Sequence, residues 1–353
     1  MSLVTPARLT PATGARPGTR FGIIGTSAIS DWFVAACRRA GATPVGVFSR
    51  DHDRGEAFAR RHGLDFASRS LAEICGSDAI DSVYVASPIG AHFEHVMSAL
   101  SQGKHVLCEK TLATSPAEVR EMFDSSADHG RVLLEAVRPV HDPAYQVIAA
   151  ATARLGTLRH AHLEKCQYSS RYPAYLRGQT TNAFDPASGN AALRDIGVYC
   201  LQPSLTLFGA PQDLVGRSYR LDNGFEAGGT LVLGYGAMSV TCTYSKVSRS
   251  VTPSVIEGEE GTLTIDSVAE PANVSLFAID GREEKLLSGP TKRPDETLHH
   301  PIEQFLTLCE GGSVSHRFRE QSILAEELMT RALHGHVAGG PAIAGAADRR
   351  ERP

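Results

Sequence analysis

Two side chains suited to proton transfer stand four positions apart in the segment LRDIGVYC, namely Asp195 and Tyr199. On a helix this spacing puts both on one face, where a carboxylate and a phenol could together hold a hydroxyl group and relay its proton. Taken alone, such a pair is more often a capping aspartate and a buried tyrosine. Its interpretation therefore depends on what else the chain brings to it.

A lysine at the end of a predicted strand is a second candidate. Glu109 and Lys110 follow the buried strand HVLC, and ligands of open parallel sheets bind at the carboxyl ends of the strands. Lys110 could donate a hydrogen bond to a substrate hydroxyl, or act as a base if a neighbouring positive charge lowers its pKa. An ordinary surface lysine is the alternative.

The segment GIIGTSAIS is a variant of the dinucleotide-binding pattern G-x-G-x-x-G, with Ser27 and Ser30 in place of the second and third glycines. A strand that turns tightly into a helix offers free N–H groups and the helix dipole to phosphate. Gly25 is expected to make the tight turn, and Ser27 to donate to the pyrophosphate. The residues expected at the phosphates are Gly25, Thr26, Ser27, Ala28 and Ile29.

The end of the second predicted strand, in VFSRDHDR, bears on which dinucleotide binds. NAD sites usually place an acid there for the ribose hydroxyl, whereas NADP sites use arginine for the 2′-phosphate. Ser49, Arg50 and Arg54 suit a phosphate, which favours NADP over NAD. Asp51 argues the other way if its side chain faces the ribose.

The elements that must position these residues alternate strictly between strand and helix up to about Pro139. That alternation predicts an α/β domain with a doubly wound parallel sheet, the Rossmann arrangement. Beyond it the pattern changes to a helix near Tyr199 and several strands, which predicts an α+β domain with a mixed or antiparallel sheet. We expect a dinucleotide-binding domain at 20–139, a substrate and oligomerisation domain at 140–337, a disordered tail at 1–19 and a flexible tail at 338–353.

Composition excludes several classes. The 353 residues carry a formal net charge of −4, which gives no basic surface for nucleic acid. No apolar run approaches the roughly 20 residues that span a bilayer, so no membrane partner is expected. The seven cysteines form no C-x-x-C pair and no ligand cluster, so we expect no metal and a reducing, cytoplasmic location.

Taken together, these segments resemble the glucose–fructose oxidoreductase and inositol dehydrogenase family (Gfo/Idh/MocA), and within it the dihydrodiol and sugar dehydrogenase branch. The resemblance runs from about Phe21 to Leu201 and later includes VIEGEEGTLTID. It implies an NAD(P)-binding Rossmann domain, a second domain with a large open sheet, and hydride transfer between nicotinamide and a secondary alcohol or carbonyl of a sugar, cyclic polyol or diol. It also implies a homodimer or homotetramer built through the C-terminal sheet. The motifs that carry it are GIIGTSAIS, SRDHDRGEAFA, ASPIGAHFEHV, GKHVLCEKT, EAVRPVHDPAY and NAALRDIGVY.

The resemblance assigns roles to particular positions. Glu109 and Lys110 match the start of the family's Glu-Lys-Pro, and Asp195 with Tyr199 matches its Asp-x-x-x-Tyr. Three departures stand out: serines in the phosphate loop, Thr111 in place of the proline of a Lys–Pro bond that can be cis, and Arg138 with Val140 in an altered aromatic-to-arginine segment. Because Thr111 replaces that proline, we expect the Lys110 side chain to be oriented toward the substrate differently from the family's lysine. The residues expected near the cofactor in addition to the phosphate loop are Ser49, Arg50, Arg54, Ser87, Pro88, His92, Glu109, Lys110 and Arg138.

The expected chemistry is metal-independent and uses NADP in preference to NAD. Tyr199 is the expected proton acceptor, as a phenolate whose pKa Lys110 lowers while it binds the same hydroxyl. Asp195 is expected to orient the substrate and Lys110, and Lys110 as the base itself is a close second. Arg171, Tyr175 and Arg177 are candidate substrate contacts. Two alternatives stay open: epimerase, lyase or glycosidase chemistry with a retained nicotinamide, and a non-catalytic NADP-binding regulator.

Overall fold

The computed structural model describes residues 18–179 and 181–334. The tails expected at 1–19 and 338–353 lie outside these ranges, apart from residues 18 and 19. Two sheets organise the described part of the chain, and no helix in it is long and apolar enough to cross a membrane.

The first sheet has six parallel strands in the order β3-β2-β1-β4-β5-β6, which confirms the doubly wound prediction. The strand order reverses between β1 and β4, and ligands of such sheets bind in the crevice at this switch point. Its strands are β1 (Arg20–Ile24), β2 (Thr43–Phe48), β3 (Phe66–Ser68), β4 (Ser82–Val85), β5 (His105–Cys108) and β6 (Leu133–Glu135).

The helices between these strands begin and end where the sequence signals them. Ser115 caps α5 by accepting a hydrogen bond from the Glu118 N–H, with Pro116 in the first turn. Gly63 ends α2 in the left-handed conformation, at φ +61°. The helices are α1 (Ala28–Arg39), α2 (His52–His62), α3 (Leu71–Gly76), α4 (His92–Ser101) and α5 (Pro116–Asp128).

The second sheet has eight strands in the order β14-β13-β12-β11-β7-β10-β9-β8. Only β7 and β10 pair in parallel within it, so the sheet is mixed and mainly antiparallel, as predicted. Its strands are β7 (Leu158–Cys166), β8 (Asp213–Arg220), β9 (Glu226–Gly234), β10 (Ser239–Ser245), β11 (Ser254–Gly258), β12 (Gly261–Ile265), β13 (Val274–Ala278) and β14 (Glu283–Leu287).

Helices cover one face of this second sheet and bury a core that includes Ile148, Leu201, Val240 and Met329. One turn of π-helix, Leu193–Gly197, leads directly into α9 and carries Asp195. The remaining helices are α6 (Arg138–His141), α7 (Ala144–Thr152), α8 (Tyr172–Leu176), α9 (Val198–Phe208), α10 (Pro294–Thr297), α11 (His299–Glu310) and α12 (Arg317–His334).

The helix α11 packs on the first sheet although it follows the second in the chain. The ring of Phe305 lies 5.6 Å from that of Phe21 in β1, and both belong to one buried cluster. α12 contributes to both halves, since Ile323 packs beneath the first sheet and Met329 beneath the second. The domain boundary at 139/140 therefore stays a prediction. Helices α11 and α12, which follow the second sheet in the chain, also pack against the first sheet.

Candidate active site

The turn after β1 requires glycine. Gly25 has φ +114°, and a Cβ there would lie 2.6 Å from the carbonyl oxygen of Ala86. Its N–H donates to the carbonyl of Phe48 at 2.9 Å, which closes the turn against β2. Ser27 begins α1, and its side chain makes no capping hydrogen bond. The first turn of α1 thus presents backbone N–H groups, and Ser27 keeps a hydroxyl that does not serve the cap.

A groove of about 250 Å³ runs along this turn and the ends of β2 and β4. Asp51 accepts a hydrogen bond from the Arg54 N–H at 3.2 Å and so caps α2. This capping role removes much of the argument for an acid that recognises the ribose. The lining residues are Ile24, Gly25, Thr26, Ser27, Phe48, Ser49, Arg50, Asp51, Arg54, Ala86, Ser87, Pro88, His95 and Asn182.

These residues fit a dinucleotide. Gly25 makes the tight turn against the Ala86 backbone, and the start of α1 that follows it offers N–H donors to a pyrophosphate. Arg50 and Arg54 both line the groove, and guanidinium groups suit a 2′-phosphate. Asn182, from the second half of the chain, lines the same groove and was not anticipated from the sequence.

His92 lies beneath the groove and does not line it. Its Nδ1 lies 2.9 Å from the Thr111 carbonyl oxygen and its Nε2 lies 2.8 Å from that of Ser87, so the ring packs between the loops after β4 and β5. A neutral ring carries a single N–H and donates to only one of these two carbonyls. Burial lowers the pKa of His92 to about 4, so the ring is neutral at pH 7. His95, one turn further along α4, lines the groove instead and contacts the Ser87 hydroxyl at 2.8 Å.

Lys110 and Asp195 meet as the sequence predicts. The ammonium of Lys110 donates to the Asp195 carboxylate Oδ1 at 2.8 Å and to the Asp195 main-chain carbonyl at 2.7 Å. Its Nζ also lies 5.1 Å from the centre of the Tyr199 ring. The peptide bond between Lys110 and Thr111 is cis, the conformation that the family's lysine–proline bond can adopt.

The charges of this pair reinforce each other. Burial lowers the pKa of Lys110, but the Asp195 carboxylate outweighs it and holds that pKa above its usual range. For Asp195, burial raises the pKa, and two lysines outweigh it so that the pKa falls well below the usual range. The pair is therefore ionised at neutral pH. The role of Lys110 as a base beside a cationic nicotinamide stays a prediction.

Arg138 contacts Tyr199, a partner that the sequence did not indicate. Its guanidinium donates to the phenol oxygen at 3.1 Å and forms an ion pair with Glu270 at 2.9 Å. Glu270 also pairs with Lys165 of β7 at 3.1 Å. All of these charged side chains are largely buried, so the phenol contacts the end of a fixed ionic network made of two cations and one carboxylate.

Other residues of the site occupy supporting positions. The Glu109 carboxylate is buried and accepts a 2.6 Å hydrogen bond from the Tyr84 hydroxyl; burial raises its pKa. A second lysine, Lys246 at the end of β10, lies 2.7 Å from Asp195 Oδ2. Neither Tyr84 nor Lys246 stood in a motif. A polar residue at a strand end was the only signal that could have singled out Lys246.

The three residues expected to contact substrate lie around α8. Arg171 and Arg177 flank that helix with exposed side chains, and the Tyr175 ring packs 5.7 Å from that of Phe184. In the described part of the chain, none of the three has a hydrogen bond or ion pair with Lys110. Their role stays a prediction.

A doubly wound parallel sheet with a groove at its switch point, together with a lysine, an aspartate and a tyrosine that converge, is typical of an NAD(P)-dependent oxidoreductase. Residues 19–137 match the family described as "Oxidoreductase family, NAD-binding Rossmann fold", the Gfo/Idh/MocA family. The chain is 36% identical to scyllo-inositol 2-dehydrogenase (NADP(+)) IolU of Bacillus subtilis (strain 168), over 89% of this chain and 95% of the relative. It belongs to this family, and its function is hydride transfer between nicotinamide and an alcohol or carbonyl group.

Two further comparisons agree. The chain is 31% identical to human trans-1,2-dihydrobenzene-1,2-diol dehydrogenase, over 70% of this chain and 74% of the relative. The crystal structure of KijD10, a 3-ketoreductase from Actinomadura kijaniata in complex with NADP and TDP-benzene, superposes with a TM-score of 0.78. That likeness covers 90% of this chain and 97% of that one, at 22% identity. It confirms the fold.

Proposed function

We propose that this protein is an NADP-dependent dehydrogenase that oxidises a secondary hydroxyl of a cyclic polyol, and reduces the matching ketone in reverse. The observation that carries the proposal is the convergence of Lys110, Asp195 and Tyr199, with Lys110 bonded to Asp195 at 2.8 Å and facing the Tyr199 ring. The similarity to IolU over nearly its whole length supports inositols as the substrate class.

The site chemistry divides among these side chains. When bound, the nicotinamide exchanges the hydride with the carbinol carbon. Lys110 is held as an ammonium and can donate a hydrogen bond to the substrate oxygen, which favours release of the hydroxyl proton. Tyr199 accepts that proton as a phenolate, and Arg138 stabilises the phenolate charge by donating a hydrogen bond to the same oxygen. Asp195 fixes Lys110 in place.

We assign cofactor binding to both ends of the groove. The residues from Gly25 to Ile29 hold the pyrophosphate, and Ser49, Arg50 and Arg54 hold the 2′-phosphate. Ser87 and Pro88 line the middle of the groove. Glu109 and Arg138 then act from the nicotinamide side, through the charges they bring near Lys110 and Tyr199.

The outer face of the second sheet is the proposed subunit interface. Val215 of β8 and Val232 of β9 are paired neighbours, and both are exposed. Adjacent apolar side chains on an open sheet favour association, which supports a homodimer or homotetramer. We also propose a cytoplasmic location, which the free state of all seven cysteines supports.

The experiment is a substrate panel followed at the nicotinamide absorbance. Scyllo-inositol and other cyclic polyols, free sugars and trans-diols are each offered with NADP and with NAD. We expect net accumulation of NADPH with at least one cyclic polyol, and slower turnover with NAD. Turnover of substrate without accumulation of reduced nicotinamide, or no turnover anywhere in the panel, would contradict the proposal.

A further inference from the structure

A second buried lysine touches the proposed catalytic carboxylate. The side chain of Lys246 is only 3% exposed, and its ammonium lies 2.7 Å from Asp195 Oδ2. It also donates to the main-chain carbonyl of Ala183 at 2.7 Å and lies over the rings of Phe184 and Phe225, at 5.0 and 5.2 Å from their centres. An ammonium is costly to bury unless it is paired, and here the pair is made with Asp195.

The two lysines divide the carboxylate between them. Lys110 takes Oδ1 and Lys246 takes Oδ2, so the carboxylate cannot rotate about its Cβ–Cγ bond without losing one of its ion pairs. The lysines come from different halves of the chain, one after β5 and the other after β10. Asp195 is therefore fixed from both sides.

This arrangement leaves Lys110 with one free donor. An ammonium has three N–H groups. Lys110 directs one to Asp195 Oδ1 and one to the Asp195 carbonyl, and within residues 18–179 and 181–334 the third has no partner and can meet a substrate oxygen. If Asp195 turned, Oδ1 would leave Lys110 and the direction of that third N–H would no longer be set.

We propose that Lys246 is a positioning residue for the dehydrogenase reaction: it holds the second oxygen of Asp195 so that Lys110 directs its free N–H to the substrate hydroxyl. The inference rests on the proposed function. Lys246 does not reach the substrate in this account and acts through Asp195. Lys246 also has a purely structural role through its hydrogen bond to Ala183, and the test must separate this role from its effect on Asp195.

The test compares Lys246→Met with Lys104→Met. Lys104 is a buried lysine at the opposite end of the first sheet, where it donates to the carbonyls of Ser77 and Ile80. Both variants lose a buried ammonium, but only one loses a contact to Asp195. We expect Lys246→Met to lower kcat by about 10- to 100-fold, the effect of a displaced reacting group. NADP affinity should be unchanged, and Lys104→Met should keep the wild-type kcat.

The pH dependence of kcat distinguishes the two roles of Lys246, because a purely structural role would leave it unchanged. Among the described residues, Lys110 and Lys246 are the charged groups in contact with Asp195. Removing Lys246 takes away one of the two cations that favour the ionised carboxylate. The acidic limb of the kcat profile should therefore move to higher pH in Lys246→Met and stay in place in Lys104→Met.

A double variant provides the remaining control. Because Lys246 acts through Asp195, Asp195→Asn with Lys246→Met should lose no more kcat than Asp195→Asn alone. If Lys246→Met does not fold, Lys246→Arg keeps the charge with a different shape. It should retain the pH profile while lowering kcat.

A crystal structure of Lys246→Met tests the role of Lys246 without any measurement of activity. We expect the Asp195 carboxylate to have turned away from Lys110. A folded Lys246→Met protein with wild-type kcat, an unmoved acidic limb and an unturned Asp195 would overturn the inference and leave the proposed function standing. Absence of turnover in the wild type would remove the proposed function, and the position of Asp195 in the variant would still decide the role of Lys246.

Discussion

Replacing Arg138 with methionine separates two roles for that residue. The guanidinium is buried and donates to the Tyr199 oxygen at 3.1 Å. In the direction of ketone reduction Tyr199 gives up its proton and its oxygen gains negative charge, so the loss of one fixed donor costs about 2.7–4 kcal/mol of transition-state stabilisation, or about 100- to 1000-fold in kcat for that direction. A residue that serves the cofactor would instead weaken NADP binding and leave kcat nearly unchanged.

The same substitution has a structural cost that the assay must account for. Arg138→Met breaks the ion pair with Glu270, and removing one partner of a buried pair typically costs about 3–5 kcal/mol of stability. The cost here is expected at the low end, because Lys165 remains 3.1 Å from Glu270. Thermal unfolding of the variant therefore accompanies the kinetics.

Thr297→Val is the matched control. It removes a different Arg138 partner, the Thr297 hydroxyl at 2.9 Å, and leaves the contact to Tyr199 intact. Initial rates of ketone reduction at saturating substrate and NADP titrations are measured for both variants. We expect a large loss of kcat with unchanged NADP affinity for Arg138→Met only. A kcat within a few-fold of the wild type, or a loss confined to NADP affinity, would refute the assignment of Arg138 to Tyr199.

Two further variants, one single and one double, test other properties of the protein. Burial raises the pKa of Glu135 from 4.5 to about 7, so the fold binds a proton that the unfolded chain releases, and stability falls as pH rises from 4.5 to 7. Glu135→Gln should therefore gain stability relative to the wild type at pH 8, by up to about 3 kcal/mol, and little at pH 4. Urea unfolding at both pH values checks this, and an equal effect at both would contradict it. Arg50→Gln with Arg54→Gln should raise the KM for NADP by about 10- to 100-fold through lost charge-assisted bonds and leave the KM for NAD unchanged. Steady-state kinetics with each cofactor measure this, and a parallel rise for both would contradict a 2′-phosphate site.

Local signals in the sequence predicted most of the first sheet. Ser115, Pro116 and Gly63 mark helix ends by mechanisms that act within one turn, and the structure uses each of them in that way. The mixed, mainly antiparallel second sheet was also expected, from the run of several strands that follows the helix near Tyr199. The placement of α11 on the first sheet was not, because an amphipathic helix does not specify which of two sheets it covers.

The site residues also fall into those that local patterns predict and those that they do not. Lys110 and Asp195 could be predicted to meet, because one stands at the carboxyl end of a parallel strand and the other in a recognisable motif. Lys246 and Glu270 could not be predicted, since their contacts cross from one part of the chain to another and no spacing records them. A short-range pattern also failed to separate His92 from His95, which share one face of α4.

The central claim is tested most directly by hydride transfer from scyllo-inositol to NADP in the wild type, Lys110→Met and Tyr199→Phe. We predict that the wild type accumulates NADPH and that each variant binds NADP normally but loses about 100-fold or more in kcat, the contribution of a positioned proton-transfer group. Near wild-type hydride transfer by both variants, on this or any other substrate that the wild type oxidises, would contradict the account.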